Sequence, residues 1–133
     1  ADILTPNESE FSALLQNNGV SISAEQIATL DDNVLHQHAR SLNTATLIIT
    51  LGARGILLST DSGFHSISPP SVTVRDTTGA GDCFNGALAA ELANGKTILD
   101  ACQFAVLASA YKVERNGAAL AMPTHAEVLA RFK

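Results

Sequence analysis

Basic residues are scarce in this sequence. Its 133 residues carry 8 Lys and Arg against 13 Asp and Glu, a formal net charge of −5. Neither that balance nor any local Lys/Arg cluster supplies the positive footprint of a nucleic-acid partner, so none is expected. Long apolar runs are missing too. None reaches the roughly 18 residues of a membrane span, and no membrane partner is expected. Ala1-Asp2-Ile3-Leu4 shows neither the charged nor the apolar region of a signal peptide. Cysteine is nearly absent. The 2 present, Cys83 and Cys102, fall in helical patterns without metal-ligand spacing. They read as reduced, buried residues of a cytoplasmic protein. There is no internal repeat, low-complexity tract or linker. A content of 46% hydrophobic and 16% charged residues describes a folded globular chain with one core.

What is present centres on Asp76-Thr77-Thr78-Gly79-Ala80-Gly81-Asp82-Cys83-Phe84-Asn85-Gly86. A β-branched run, Val72 to Val74, leads in as a strand. Phe84, Leu88 and Leu92 lead out along one face of a helix. Gly79-Ala80-Gly81 therefore sits where a strand turns into a helix, and small residues there let a ligand approach the backbone. The first amides of a helix have no internal partner, and the dipole adds positive charge. Together they make an anion site suited to phosphate. Asp82 falls in the first turn beside it. A carboxylate there repels a phosphate unless it has a chemical task, such as accepting a proton from a hydroxyl that attacks phosphorus. Asp in a first turn also serves simply to complement the dipole, and the spacing leaves both readings open.

The remaining pattern alternates strands and helices. Asp2 to Thr5 reads as a buried strand ending at Pro6. Asn7 caps a helix to about Gln16, with Glu10 completing a capping box and Phe11, Leu14 and Leu15 buried. Helical segments between Ala24 and Leu42 carry Ile27, Leu30, Val34 and Leu35 inward. His36 and His38 point to different faces and read as solvated. The run Ala45 to Leu51 reads as a central parallel strand. Ile56 to Ser59 and Phe64 to Ile67 form a hairpin about Asp61-Ser62-Gly63. The helix after Gly86 runs to about Ala93, with Ala87, Ala89 and Ala90 packing closely. Thr97 caps a largely buried helix, Ile98 to Val113. Thr124 to Phe132 is the last helix, with Val128, Leu129 and Phe132 inward.

The central motif resembles the C-terminal signature of the ribokinase-like sugar kinases, the phosphofructokinase B family. The resemblance runs through the whole chain in order. It implies an α/β fold with a largely parallel, Rossmann-like sheet flanked by helices and a small β-hairpin. It implies that Asp82 is the catalytic base, touching the sugar, and that the Gly79, Ala80 and Gly81 amides form the anion hole. Asn7-Glu8-Ser9-Glu10 is similar to the family's Asn-x-x-Glu, which puts Asn7 and Glu10 near the nucleotide phosphates and the Mg²⁺ hydration shell. Thr50-Leu51-Gly52-Ala53-Arg54-Gly55 is similar to its Thr-Leu-Gly-x-x-Gly segment along the ATP phosphates and ribose. Val106 falls where relatives contact adenine. A monovalent cation, K⁺, is implied at Asp76 and Thr78 with the carbonyls of Lys112, Arg115 and Gly117. Ala121 stands where ribokinases often supply a hydroxyl.

Members of the family are longer, with the sugar-binding half and lid first. This chain begins without Met, directly in a strand pattern, and 1–133 reads as the C-terminal nucleotide-binding and catalytic portion of such a kinase. The resemblance implies ATP-dependent phosphorylation of a sugar hydroxyl. Ribose comes first, and fructose, other ketoses and nucleosides stay open. A homodimer is expected at full length. The isolated portion, without sugar pocket or lid, is expected to be inactive and to self-associate through the open apolar edge at Asp2–Thr5. Two rivals stand beside the kinase reading. One is a nucleotide-binding module without catalysis, a degenerate or regulatory relative, against which Asp82 and the intact Gly-Ala-Gly argue. The other is an enzyme such as a dehydrogenase, but Gly79-Ala80-Gly81 is followed by Phe84, so the dinucleotide spacing Gly-x-Gly-x-x-Gly is absent.

Overall fold

In the computed structural model, which describes residues 3–115 and 122–132, the chain divides into the units Ala1–Ser68 and Pro69–Lys133. In the first unit, β1 (Ile3–Leu4) leads through Pro6 into α1 (Glu8–Asn17). The Glu10 amide donates to Asn7 Oδ1 at 2.8 Å, and the Asn7 amide donates to Glu10 Oε1 at 2.9 Å. This reciprocal pair satisfies donors that the helix itself leaves orphaned. Ser23 and Gln26 repeat the device for α2 (Ala24–Ile27), and Asp31 caps α3 (Asp32–Arg40).

Three further strands follow: β2 (Thr46–Thr50), β3 (Ile56–Thr60) and β4 (Gly63–Ile67). The sheet order is β1-β2-β3-β4. β1 runs parallel to β2, whereas β2 with β3 and β3 with β4 are antiparallel. The apolar run of β2 is central as expected, with Leu47, Ile48 and Ile49 each at 0% exposure. What such a run encodes is burial on both faces. Strand direction follows from the connection. A helical crossover returns β1 to β2 in parallel, while a single tight turn into β3 returns antiparallel. Phe11 and Leu15 of α1, Ile27 of α2, and Leu35 and Ala39 of α3 pack with Leu47, Ile49, Leu51 and Leu57 into one core.

His36 departs from its solvated reading. Its ring lies 5.0 Å from that of Phe64, and its Nδ1 is 2.7 Å from the fully buried Ser59 Oγ. Arg40 Nε donates to the same Oγ at 3.0 Å, leaving the hydroxyl proton for the imidazole lone pair. Helical spacing put His36 on its own face, but only the sheet shows what that face meets. Burial, and then the Arg40 charge, hold the imidazole below its ordinary value of 6.5. A neutral folded-state histidine contributes stability above 6.5 that is lost as pH falls through the lowered folded value. We therefore expect the melting temperature to fall as pH drops from 6.5 toward the lowered folded value, and His36→Asn to flatten this part of the profile. An unchanged profile in the variant would assign the fall to other groups.

Among its described residues the second unit holds three helices: α4 (Ala80–Ala93), α5 (Ile98–Val113) and α6 (His125–Phe132). The strand expected over residues 72–74 does not form. That segment pairs with no strand among the described residues, and Val74 is 58% exposed. β-branched residues favour extended backbone, but a strand exists only with a partner ladder. The segment is instead tied at its end, where the Arg75 and Asp76 amides both donate to the Val113 carbonyl, at 2.7 and 3.1 Å. α4 packs along α5 through Cys83, Phe84, Ala87 and Leu88 against a buried face that includes Ala101, Cys102, Ala105, Val106 and Ala108. Ala89 and Ala90, expected in that packing, are exposed. Both cysteines are buried free thiols, and burial pushes the Cys102 thiol up to about 12. Thr124 and Glu127 cap α6 reciprocally, and Val128 is fully buried. No helix among the described residues is long and apolar enough to cross a membrane.

Candidate active site

In the first unit, two of the sequence-selected segments meet. The Thr50 amide donates to the Pro6 carbonyl at 2.9 Å, and Asn7 and Thr50 form a parallel bridge. The start of α1 and the end of β2 therefore share one edge, beyond the carboxyl ends of the parallel strands β1 and β2. Ligands collect at such ends in α/β sheets. After Leu51 the chain makes a single 3₁₀ turn, Gly52–Arg54, and the Leu51 amide donates to Gly55 O at 2.8 Å. Gly52 and Ala53 are exposed there. Arg54 is otherwise engaged. Its guanidinium donates to Ala28 O at 2.8 Å and to Asp32 Oδ1 at 3.0 Å, tying the turn to the start of α3. Asn7 and Glu10 are exposed, and their side chains bond to each other's backbone.

In the second unit, Gly79 is the N-cap of α4, with φ +76°. In that left-handed region a β-carbon is strained, so glycine is the fitting residue. The Cys83 amide makes the first helical bond, to Gly79 O at 2.9 Å. The Ala80 amide turns back to Thr77 O at 3.1 Å, which withdraws one of the three amides expected to face an anion. Among the described residues, the Gly79, Gly81 and Asp82 amides have no hydrogen-bond acceptor, and the last two residues are exposed. Asp82 thus stands in the first helical turn beside outward-facing donors. Asp76 shapes the approach, its Oδ1 accepting the Thr78 amide at 2.8 Å. With the Asp76 amide on Val113 O, this places Asp76 and Thr78 beside the last turn of α5, where Lys112 stands. Arg115 follows the helix, with its guanidinium 3.3 Å above the Tyr111 ring. Gly117 lies outside the described residues. Val106 is buried on α5.

The sequence singled out Lys112 only for its carbonyl. Its side chain is the larger finding, because it is buried and directed at the N-cap of α4. The available signal was a lysine in the last turn of an otherwise apolar helix. The Ser59–His36 pair looks like a nucleophile with its base, yet Ser59 is wholly buried and accepts from Arg40, so it is part of the packing.

A parallel strand pair ending at a helix start in the first unit, and a glycine-rich helix N-terminus carrying an acidic residue in the second, are features of an α/β protein. The sequence pattern of the pfkB family carbohydrate kinases matches residues 1–125, and the chain belongs to that family. It is 37% identical over 128 residues to the ribokinase of Haemophilus influenzae, covering 96% of this chain and 40% of that protein. The ribokinase structure from Thermotoga maritima superposes with a TM-score of 0.79 at 35% identity, covering 97% of this chain and 41% of that one. Arabidopsis thaliana ribokinase, solved with ribose and ATP, gives a TM-score of 0.75 at 32% identity over 97% of this chain and 40% of that one. The fold is ribokinase-like α/β. The chain spans about 40% of the length of the curated relatives it matches.

Proposed function

We propose that residues 1–133 are the C-terminal nucleotide-binding and catalytic portion of a sugar kinase that transfers the γ-phosphoryl group of ATP to a sugar hydroxyl. The observation that carries this reading is the start of α4, where left-handed Gly79 and the unpaired Gly79 and Gly81 amides stand beside exposed Asp82. The family match and the Arabidopsis ribokinase, solved with ribose and ATP, support it. The Asp82 carboxylate takes the proton of the acceptor hydroxyl. The hydroxyl oxygen bonds to the γ-phosphorus, the bond from phosphorus to the bridging oxygen breaks, and ADP leaves. The amides meet charge on the phosphoryl oxygens in a fixed orientation, so nothing reorganises as charge shifts.

The edge formed by Asn7, Glu10 and Thr50–Gly55 takes the nucleotide phosphates and ribose, and Val106 borders the adenine. Arg54 contributes through its backbone, since its guanidinium is held by Ala28 and Asp32. The exposed Glu10 carboxylate is a hard oxygen ligand that suits a hydrated Mg²⁺. When bound, Mg²⁺ neutralises phosphate charge. For K⁺, the Asp76 carboxylate, Thr78 and the carbonyls of Lys112, Arg115 and Gly117 are oxygen donors of the right hardness. The Asp76–Val113 bond holds the first of them beside the end of α5. Ribose is the leading acceptor.

Coupled ADP release by the full-length protein, measured over a panel of sugars, tests the reading. Sugar-dependent release is expected, with ribose preferred and a faster rate in K⁺ than in tetramethylammonium at equal ionic strength. ATP binding without transfer to any sugar would favour a non-catalytic module. Equal rates in the two cations would remove K⁺. The chain 1–133 alone should release no sugar-dependent ADP and should self-associate, because catalysis needs the acceptor held in line and water excluded. Turnover by a monodisperse 1–133 monomer would show the portion to be sufficient and overturn that part.

A further inference from the structure

We propose that Asp32 is a positioning residue of the nucleotide edge, holding the Gly52–Gly55 turn in place through the Arg54 guanidinium. The inference rests on reading that turn as part of the nucleotide site, and deepens it. Arg54 reaches from the turn to the junction of α2 and α3. Its Nη1 donates to the Ala28 carbonyl at 2.8 Å, and its Nη2 donates to Asp32 Oδ1 at 3.0 Å. Ala28 is the C-cap of α2, and Asp32 is the first residue of α3. The last carbonyls of a helix have no donor inside it, and the planar guanidinium serves one of them and the carboxylate together.

The turn needs a hold from outside because its own backbone is loosely determined. Gly55 has φ +91° and ψ −130°, a conformation only glycine keeps readily, and one that glycine gives up much entropy to keep. Gly52 and Ala53 are exposed, so packing does not fix them. The frame that Arg54 is tied to is itself fixed. Leu35 and Ala39 bury one face of α3 at 0% exposure. Arg40, its last residue, donates to Ser59 Oγ at 3.0 Å and to Ser59 O at 2.9 Å. With its first residue α3 thus holds the turn that leads into β3, and with its last the far end of β3. A turn held in this way is ordered before a ligand arrives, which lowers the cost of binding. The same bonds define the role of Arg54. A guanidinium that bound phosphate directly would be released by loss of its carboxylate partner and would bind more tightly. A strut behaves in the opposite sense, because losing the partner slackens the turn. Removing a negative charge near an anionic ligand favours binding by itself, so weaker binding without Asp32 identifies the strut.

The test uses the full-length protein with ADP as the probe, by titration calorimetry, beside steady-state kinetics with ATP. Asp32→Ala removes the acceptor, and Arg54→Met keeps the stem without the fork. We expect ADP binding to weaken by about 3–10-fold in Asp32→Ala, the scale of one half-exposed charged hydrogen bond, and by at least as much in Arg54→Met. Asp32→Asn, which keeps an acceptor of the same shape, should fall between Asp32→Ala and the unmodified protein. The double variant should bind like Arg54→Met alone, since Asp32 acts only through the guanidinium. In Asp32→Ala the KM for ATP should rise more than kcat falls, with the KM for the sugar unmoved, a split that general loosening of the fold would not give. The two side chains are 35% and 36% exposed, so the variants should fold, and melting curves monitor this. Unchanged or tighter ADP binding in Asp32→Ala overturns the proposal, as does a double variant in which the two losses simply add. Asp32-dependent ADP binding in a protein that phosphorylates no sugar leaves this inference standing and removes the kinase reading. Sugar phosphorylation with nucleotide affinity indifferent to Asp32 does the reverse. No ADP binding by the unmodified protein removes both.

Discussion

On the proposed kinase reading, Asp82→Asn in the full-length protein should lower turnover by ~10²–10⁴-fold, the usual cost of losing a general base. The substitution keeps the size and the polar edge of the side chain but removes its ability to take a proton. Because Asp82 is exposed in the first turn of α4 and its own amide is unpaired, nothing in the packing depends on its charge. The fold should therefore survive, and ATP affinity should change little or rise slightly as a negative charge leaves the proposed phosphate site. Steady-state kinetics with a matched melting curve separates the outcomes. Turnover within a few-fold of the unmodified enzyme would return Asp82 to the role of a dipole-complementing residue worth well under about 1 kcal/mol.

Phe11→Ala should be the most damaging single change outside the site. Phe11 is 0% exposed and stands in the core formed by α1, α2, α3 and the sheet. Deleting an aromatic ring from such a place costs about 3–5 kcal/mol, against a typical total stability of about 5–15 kcal/mol. The loss reaches function through α1. Its N-cap is Asn7, which bridges to Thr50 at the proposed nucleotide edge. A loosened α1 would misplace both together, so nucleotide affinity should fall with stability. Denaturant unfolding monitored beside ATP titration checks this. Undiminished stability would mean that the neighbours close over the cavity.

Much of this protein was legible in its residues because the signals are local. Asn7 with Glu10, Ser23 with Gln26, and Thr97 with Asp100 place helix starts by side chains that reach their own first turns. The β2 run and the apolar α5 announce burial by composition alone. The motif from Asp76 to Asp82 states its glycine turn and acidic first turn in order, which is why the family could be read from it. The misreadings are all cases where the answer depends on a partner. Residues 72–74 have strand-forming side chains and no ladder. His36 reads as a surface residue until Phe64 and Ser59 are set against it by the sheet. β3 returns antiparallel because the turn before it is too short for a crossover. The Ala80 amide is withdrawn by Thr77 through backbone geometry that no side chain reports.

Sequence by itself determined the helices and their caps, the strands of the first unit, the family and the identity of the motif residues, because each is set by covalent neighbours or by periodicity along the chain. Tertiary structure alone decided which segments share an edge. It joined Asn7 to Thr50, Asp76 to Val113 and Lys112 to Gly79, residues distant in the chain. The physical reason lies in the reach of each force. Propensity and capping act within a turn or two of helix, whereas burial and fixed charge act through space, on whatever side chain the packing brings near.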